Sequence, residues 1–181
     1  MKQICMEDNN LESYYKFLKD VEKTHSKIVD KSILEKDPYE VDINHIHFLP
    51  EGKIVSYFGE VRIEAFFHFE EDSPLLVILN GKHTLTNGKL KLPSFSRWSW
   101  YSELGMSMLN IEDPMLFKYK NEKLELGWFY GDYVEDYREY VAEYVRKIAA
   151  FLKVETKNIF SMALREEGQQ RLLWLIKSVD R

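Results

Sequence analysis

Apolar residues in the central part of the chain either alternate with polar ones or run on without interruption, and each pattern predicts a strand. Within residues 53–71, apolar positions recur at every second residue after a turn near Gly59, which predicts a β-hairpin. The unbroken apolar run from Leu75 to Leu79 is typical of a strand buried on both faces. Residues 104–114 repeat this pattern less cleanly and end at Asp113-Pro114. We therefore predict a hairpin followed by two central strands.

Helical spacing of apolar residues occurs on both sides of these strands. Residues 132–154 carry an apolar stripe, with Asp132 placed to cap the first turn, and predict a long helix. Residues 156–160 then predict a third parallel strand, and residues 10–36 predict one or two N-terminal helices before a connector with turns. This order predicts an α/β fold class, with a β-hairpin, parallel strands, a long crossover helix and an N-terminal helical extension.

Composition narrows the classes of partner. The chain has 181 residues and a formal net charge of -5, so it has no basic excess for nucleic acid and no polybasic patch for a membrane surface. Its one cysteine, Cys5, excludes an internal disulfide and suits a reducing compartment. The N-terminal residues lack the apolar core of a signal peptide, and no apolar run approaches about 18 residues. We expect a cytoplasmic protein that binds neither nucleic acid nor membranes.

Histidine spacing gives a weak indication of metal binding. His45 and His47 would point the same way on a strand, with His25, His68 or His83 as a third ligand, but no pattern fixes that ligand. Phosphate-binding glycine motifs are missing from the sequence. We therefore predict no metal site and no cofactor.

Two aromatic segments and one turn are candidate ligand sites. Residues 95–105 combine tryptophans with Arg97, and residues 126–132 place aromatic residues between two glycines. Each segment is equally consistent with ligand contact and with an aromatic seal over the core. The turn at residues 80–82 follows a buried strand and could present backbone N–H groups to an oxyanion, although Asn and Gly are common in any such turn.

The segments LLVILNGKH, FSRWSW, LNIEDPML and LGWFYGD resemble the α/β-hydrolase superfamily, in particular a group of bacterial hydrolase-like proteins, over residues 54–160. The resemblance implies relatives that are serine esterases or acyltransferases acting on small-molecule or glycan-like substrates. It makes Gly81 and Lys82 candidates for the oxyanion loop. The candidates for ligand contact are Asn80, Arg97, Trp98, Trp100, Trp128 and Tyr130.

The resemblance breaks at Phe160. The family pattern implies a G-x-S-x-G nucleophile elbow, such as NIFFYGSSGGG, where this chain has NIFSMALREEG. Ile159 to Ala163 can be written with the codons ATT TTT TCT ATG GCT, chosen among synonymous ones, and one added T turns this string into codons for Ile-Phe-Phe-Tyr-Gly. Permitted codons for the following residues continue this frame into the elbow. We hypothesise a one-base deletion near Phe160. The chain then consists of an N-terminal helical extension and connector (1–52), a partial hydrolase-like domain (53–160) and an out-of-frame tail (161–181).

A genuine C-terminal helix is the alternative for the tail, because residues 163–179 also have helical apolar spacing. Ser161 lacks the flanking glycines of an elbow, and the five histidines all precede residue 84, whereas the superfamily places its catalytic histidine after the nucleophile. We therefore expect a truncated, catalytically inactive hydrolase-like protein with no catalytic residue, which self-associates through an exposed sheet edge. A complete noncatalytic α/β module that binds a ligand or partner is the alternative.

Overall fold

A six-stranded mixed sheet forms the centre of the protein. The computed structural model describes residues 31–81, 83, 92–119, 127, 129–131 and 136–163. The strands are β1 (Tyr39–Glu40), β2 (Gly52–Phe58), β3 (Val61–His68), β4 (Leu75–Leu79), β5 (Ser107–Ile111) and β6 (Ile159–Ala163). They lie in the order β1-β2-β3-β5-β4-β6. With the helices below, this sheet confirms the predicted α/β fold class.

Four α-helices accompany the sheet in the described part of the chain: α1 (Ser32–Glu35), α2 (Tyr101–Leu104), α3 (Pro114–Lys118) and α4 (Tyr137–Leu152). Short 3-10 turns at Trp98–Trp100 and Thr156–Asn158 precede α2 and β6. None of the helices in these residues is long and apolar enough to cross a membrane. One or two helices were predicted for residues 10–36, where α1 is the helix in the described part; residues 10–30 lie outside the described residues, and so does the tail from residue 164.

The pairing of the strands confirms the predicted hairpin and the parallel strands after it. Strands β2 and β3 are antiparallel, with Phe58 opposite Val61 across the turn at Gly59. Strand β5 runs antiparallel to β3 and parallel to β4, and β6 is parallel to β4 on its other side. The predicted connector at residues 36–52 needs correction, because its residues Tyr39–Glu40 form β1 and pair with β2.

Side chains of the central strands alternate between two apolar clusters. Leu75, Val77 and Leu79 face one cluster together with residues of α4, whereas Leu76 and Ile78 face a second cluster. Phe95, Trp100 and Leu104 belong to the second cluster, so residues 95–104 cover that face of the sheet. Burial of both faces explains why β4 is an unbroken apolar run.

Helix α4 lies in the sequence between β5 and β6. Its buried residues Val141, Tyr144, Val145 and Ile148 confirm the predicted apolar stripe. The helix begins at Tyr137, because the carboxylate of Asp136 caps it by accepting a hydrogen bond from the Arg138 N–H at 3.0 Å. The predicted start at Asp132 is therefore wrong, and residues 132–135 lie outside the described residues.

Candidate functional site

The candidate site lies where β4 and β5 end. Leu79 and Ile111 are paired as the last residues of these two parallel strands, and each strand is followed by a buried polar residue, Asn80 and Glu112. Both residues continue the side-chain alternation toward the face covered by residues 95–104. Ligands of open α/β sheets bind outside the carboxyl ends of the strands. This edge of the sheet is therefore the candidate position for a ligand-binding or catalytic site.

The Glu112 carboxylate is the centre of a buried hydrogen-bond network. Its side chain is fully buried, and Oε1 accepts hydrogen bonds from His83 Nε2 at 2.7 Å and from the Asp113 N–H at 3.1 Å. Oε2 accepts from the Ser94 N–H at 2.9 Å and, more weakly, from Asn80 Nδ2 at 3.5 Å. Both carboxylate oxygens therefore accept hydrogen bonds from neighbouring groups.

A second hydrogen bond links the His83 ring to the surface. Ser94 Oγ lies 2.7 Å from His83 Nδ1, on the side of the ring opposite Glu112. Because an ionised Glu112 only accepts, we assign the proton of a neutral His83 to Nε2, which leaves Nδ1 free to accept from the Ser94 hydroxyl. His83 is buried, whereas Ser94 is exposed. A buried carboxylate is thus connected through an imidazole to an accessible hydroxyl.

Opposing influences act on the pKa of His83. Burial lowers it, but the hydrogen bond to Glu112 and the charges of Glu112 and Asp113 raise it, and the net pKa lies above the ordinary value of 6.5. The charged imidazolium is stabilised by the carboxylate that it faces. His83 therefore takes up a proton readily at its Nδ1 atom.

Two asparagines hold the backbone next to Ser94. The Ser96 N–H donates to Asn80 Oδ1 at 3.1 Å, and the Ser96 carbonyl accepts from Asn110 Nδ2 at 2.6 Å. Phe95, between the two serines, is buried and has a positive φ of 22°, a sparsely populated conformation for a residue with a side chain. Contacts on both sides therefore fix the position of Ser94.

Asp113 organises the loops beyond Glu112. Its side chain caps α3 by accepting from the Met115 N–H at 3.1 Å, and it also accepts from the N–H groups of Gly127 at 2.9 Å and Phe129 at 3.2 Å. Burial raises the pKa of Asp113 to about 6, and the three N–H donors, which favour the carboxylate, oppose that rise. Asp113 thus joins the end of β5 to the 127–131 segment.

The structure places some of the sequence-predicted residues in this network. Asn80 belongs to it, and Gly81 follows directly and is partly exposed. Lys82 and Trp128 lie outside the described residues. Roles for Gly81 and Lys82 in an oxyanion loop stay predictions.

The aromatic candidates make contacts within the protein. The Trp98 ring meets Phe66 edge to face with 5.6 Å between the ring centroids, Trp100 is buried, and the Arg97 guanidinium lies 5.3 Å from the ring of Trp100. These contacts favour the sealing role of residues 95–104. Tyr130 is exposed, with the Arg138 guanidinium 4.8 Å from its ring. Ligand contact by these residues stays a prediction.

The histidines outside the network have separate surroundings. His45 lies in a turn, where its Nδ1 is 3.1 Å from Asp42 Oδ2, so the strand that was to align it with His47 is not formed. The Nδ1 atom of His68 lies 2.9 Å from Glu51 Oε2. In the residues that the structure describes, no group of three or more His, Cys, Asp or Glu side chains is arranged to hold a metal ion.

Ser94 and Glu112 are functional candidates that the sequence analysis missed, and His83 was considered only as a metal ligand. A usable signal was present, because a histidine and a glutamate each follow the end of one of two predicted parallel strands. Ser94 had no such signal.

Comparisons with known proteins match no family model, no curated protein and no solved structure.

Proposed function

We propose that the chain is an α/β-hydrolase-like protein that contains the first part of a hydrolase sheet and lacks the nucleophile elbow. The antiparallel hairpin β2–β3, the parallel strands β4, β5 and β6, and the helix α4 before β6 support this proposal. The relatives that the sequence resemblance implies transfer or hydrolyse acyl groups of small-molecule or glycan-like substrates through an elbow serine. This chain does not carry out that elbow reaction.

The observation that carries the proposal is the pairing of β6 with β4. Leu79 and Ala163 are partners in the parallel register, so β6 reaches the same edge of the sheet as the turn after β4. In α/β-hydrolases the elbow follows a strand at this edge. Their oxyanion hole takes an N–H group from the loop after the third strand in the numbering of that family, which is not the β3 of this chain. The Asn80-Gly81 turn therefore has the neighbour that an oxyanion loop needs.

The position of Ser161 supports the absence of an elbow nucleophile. Ser161 lies inside β6, opposite Val77, and only 3% of its surface is exposed. An elbow serine lies on a sharp turn between strand and helix, with its hydroxyl exposed above the sheet. A buried serine in the middle of a strand cannot present its hydroxyl to a substrate.

Ester hydrolysis by the purified protein tests the proposal. We expect Ser161→Ala to leave any hydrolysis of p-nitrophenyl acetate unchanged, with Ser56→Ala as a matched control for a buried strand serine. Hydrolysis that is lost in Ser161→Ala and kept in Ser56→Ala would overturn the proposal. The gene sequence around codons 158–181 tests the frameshift separately, because codons that cannot encode an elbow in the shifted frame exclude it.

A complete noncatalytic binding module is the second candidate, and the fully engaged Glu112 side chain favours it. Buried polar networks with every member paired can fix loop positions without chemistry. Hydrogen exchange separates the candidates, because a module whose tail covers β6 protects residues 164–181 from exchange. A frameshifted tail without a specific fold exchanges rapidly.

A further inference from the structure

Ser94, His83 and Glu112 form a hydrogen-bonded chain that runs from the surface to the buried ends of β4 and β5. Ser94 Oγ to His83 Nδ1 and His83 Nε2 to Glu112 Oε1 both measure 2.7 Å. A hydroxyl within hydrogen-bond reach of a base, with the base oriented by a third group, is the arrangement of an activated nucleophile.

We propose that Ser94 is a nucleophile that accepts acyl groups from activated carboxylic esters, with His83 as its general base and Glu112 as the positioning residue. This inference goes beyond the proposed loss of elbow chemistry, because all three residues precede β6 and none belongs to the elbow position. Ser94 is an exposed residue, so the nucleophile lies at the surface and not within the apolar core.

The reaction balances with the groups present. Ser94 Oγ forms a bond to the ester carbonyl carbon while His83 Nδ1 takes the hydroxyl proton. The tetrahedral intermediate then breaks the bond between that carbon and the alcohol oxygen, and His83 returns the proton to the leaving alcohol. The products are an acylated Ser94 and a free alcohol, with His83 neutral again. Water, deprotonated by His83, then attacks the acyl carbon, the bond from that carbon to Ser94 Oγ breaks, and His83 returns the proton to Oγ, which releases the carboxylic acid and restores the hydroxyl.

The surroundings keep the serine and the ring in place. The Ser94 N–H is bound to Glu112 Oε2 at 2.9 Å, so the same carboxylate holds both the imidazole and the backbone of the nucleophile. Asn80 and Asn110 fix the next polar residue, Ser96, from the ends of β4 and β5. Such rigid support is what a nucleophile and its base need.

Labelling with an alkyl fluorophosphonate tests the nucleophile. Ser94 Oγ would bond to phosphorus, fluoride would leave, and the serine proton would pass through His83 to solvent. We expect one added phosphonyl group per chain, located at Ser94 by peptide mass spectrometry, and its complete loss in Ser94→Ala. The control is Ser102→Ala, another exposed serine in the same covering segment, which should label normally. Equal labelling of the native protein and Ser94→Ala would overturn the proposal.

The pH dependence tests the base and the positioning residue. Among the described residues, the charged groups that act on the His83 ring are Glu112 and Asp113, and against the lowering effect of burial they raise its pKa above 6.5. Labelling should therefore rise with pH to a plateau, with a midpoint above 6.5. Glu112→Gln should slow labelling at the plateau at least about 10-fold and shift the midpoint downward, because the carboxylate no longer favours the imidazolium. A rate and midpoint unchanged in Glu112→Gln would contradict the assigned roles.

A thiol at the same position provides a test that needs no ester. In Ser94→Cys, His83 should stabilise the thiolate, so iodoacetamide at pH 6 should modify position 94 at least about 10 times faster than Cys5, the natural cysteine of the chain. Similar rates at both positions would contradict activation by His83.

The two proposals can fail independently. Ser94 labelling without turnover, or turnover lost in Ser94→Ala and kept in Ser161→Ala, supports this inference and leaves the proposed loss of elbow chemistry intact. Turnover lost in Ser161→Ala and kept in Ser94→Ala overturns both proposals.

Discussion

The His83 ring lies between an exposed hydroxyl and a fully buried carboxylate, with its Nε2 atom 2.7 Å from Glu112 Oε1. His83 and Glu112 are 29 positions apart in the sequence and meet because β4 and β5 are neighbouring parallel strands that end at the same edge. The protonation of His83 therefore depends on the folded sheet, which holds the Glu112 carboxylate next to the ring. That coupling has measurable consequences for stability as well as for reactivity.

Folding stability should respond to the protonation of His83. Its pKa is raised in the folded state, so the stabilisation is fully present below the unfolded value of 6.5 and is lost as pH rises through the folded pKa. The free energy of unfolding in urea should therefore be higher at pH 6 than at pH 8 in the native protein. The difference between the two pH values should be smaller in Glu112→Gln. Histidine NMR titration should assign a pKa above 6.5 to His83, through a signal that disappears in His83→Gln. An equal pH dependence in native protein and Glu112→Gln would refute the coupling.

Asp113 should give a separate dependence at lower pH. Its pKa is raised from 3.8 to about 6 in the folded state, so the folded protein binds the proton more tightly than the unfolded chain. Stability contributed by this protonation is lost as pH rises from 4 to 6, and the shift corresponds to about 3 kcal/mol. The fall between these values should be smaller in Asp113→Asn, whose side chain does not titrate. Identical slopes for the two proteins in urea unfolding would show that Asp113 has an ordinary pKa.

The local pattern of the sequence was enough to predict β3, β4 and the apolar stripe of α4, because burial on one or both faces determines which residues are apolar. The position of β5 between β3 and β4 was beyond that pattern, since strand order depends on long-range pairing. The start of α4 was misplaced because Asp132 and Asp136 both precede helical spacing and only the structure shows which one caps.

The candidate site was harder to predict than the fold. Asn80 was identified because it follows an unbroken apolar strand. Ser94 was not, because its contact with His83 joins two positions 11 residues apart in the sequence, and a single serine carries no motif. Glu112 was not identified either, because the sequence shows a carboxylate next to Asp113-Pro114 but not that its side chain is fully buried among hydrogen-bond donors.

Gly127 should be intolerant of any side chain. A Cβ atom there would collide with Cβ of Met115 and lie 2.9 Å from Asp113 Oδ2, which is bound to the Gly127 N–H. Gly127→Ala should therefore cost about 1–3 kcal/mol in urea unfolding. The control is Gly105→Asn, at a left-handed position with open space, where asparagine is tolerated and the loss should stay below about 1 kcal/mol. Equal losses at the two positions would mean that the 127 loop can move away from Asp113.

Strand β6 should promote self-association. Among the described residues it pairs only with β4 and so forms one edge of the sheet, where backbone N–H and C=O groups can pair with a second chain. Sedimentation velocity should show association that increases with protein concentration. Met162→Lys places a charge on the partly buried edge strand and should weaken the association at least about threefold, whereas the uncharged Met162→Gln should weaken it less. A monomer at every concentration, with residues 164–181 protected from hydrogen exchange, would show instead that the tail covers this edge.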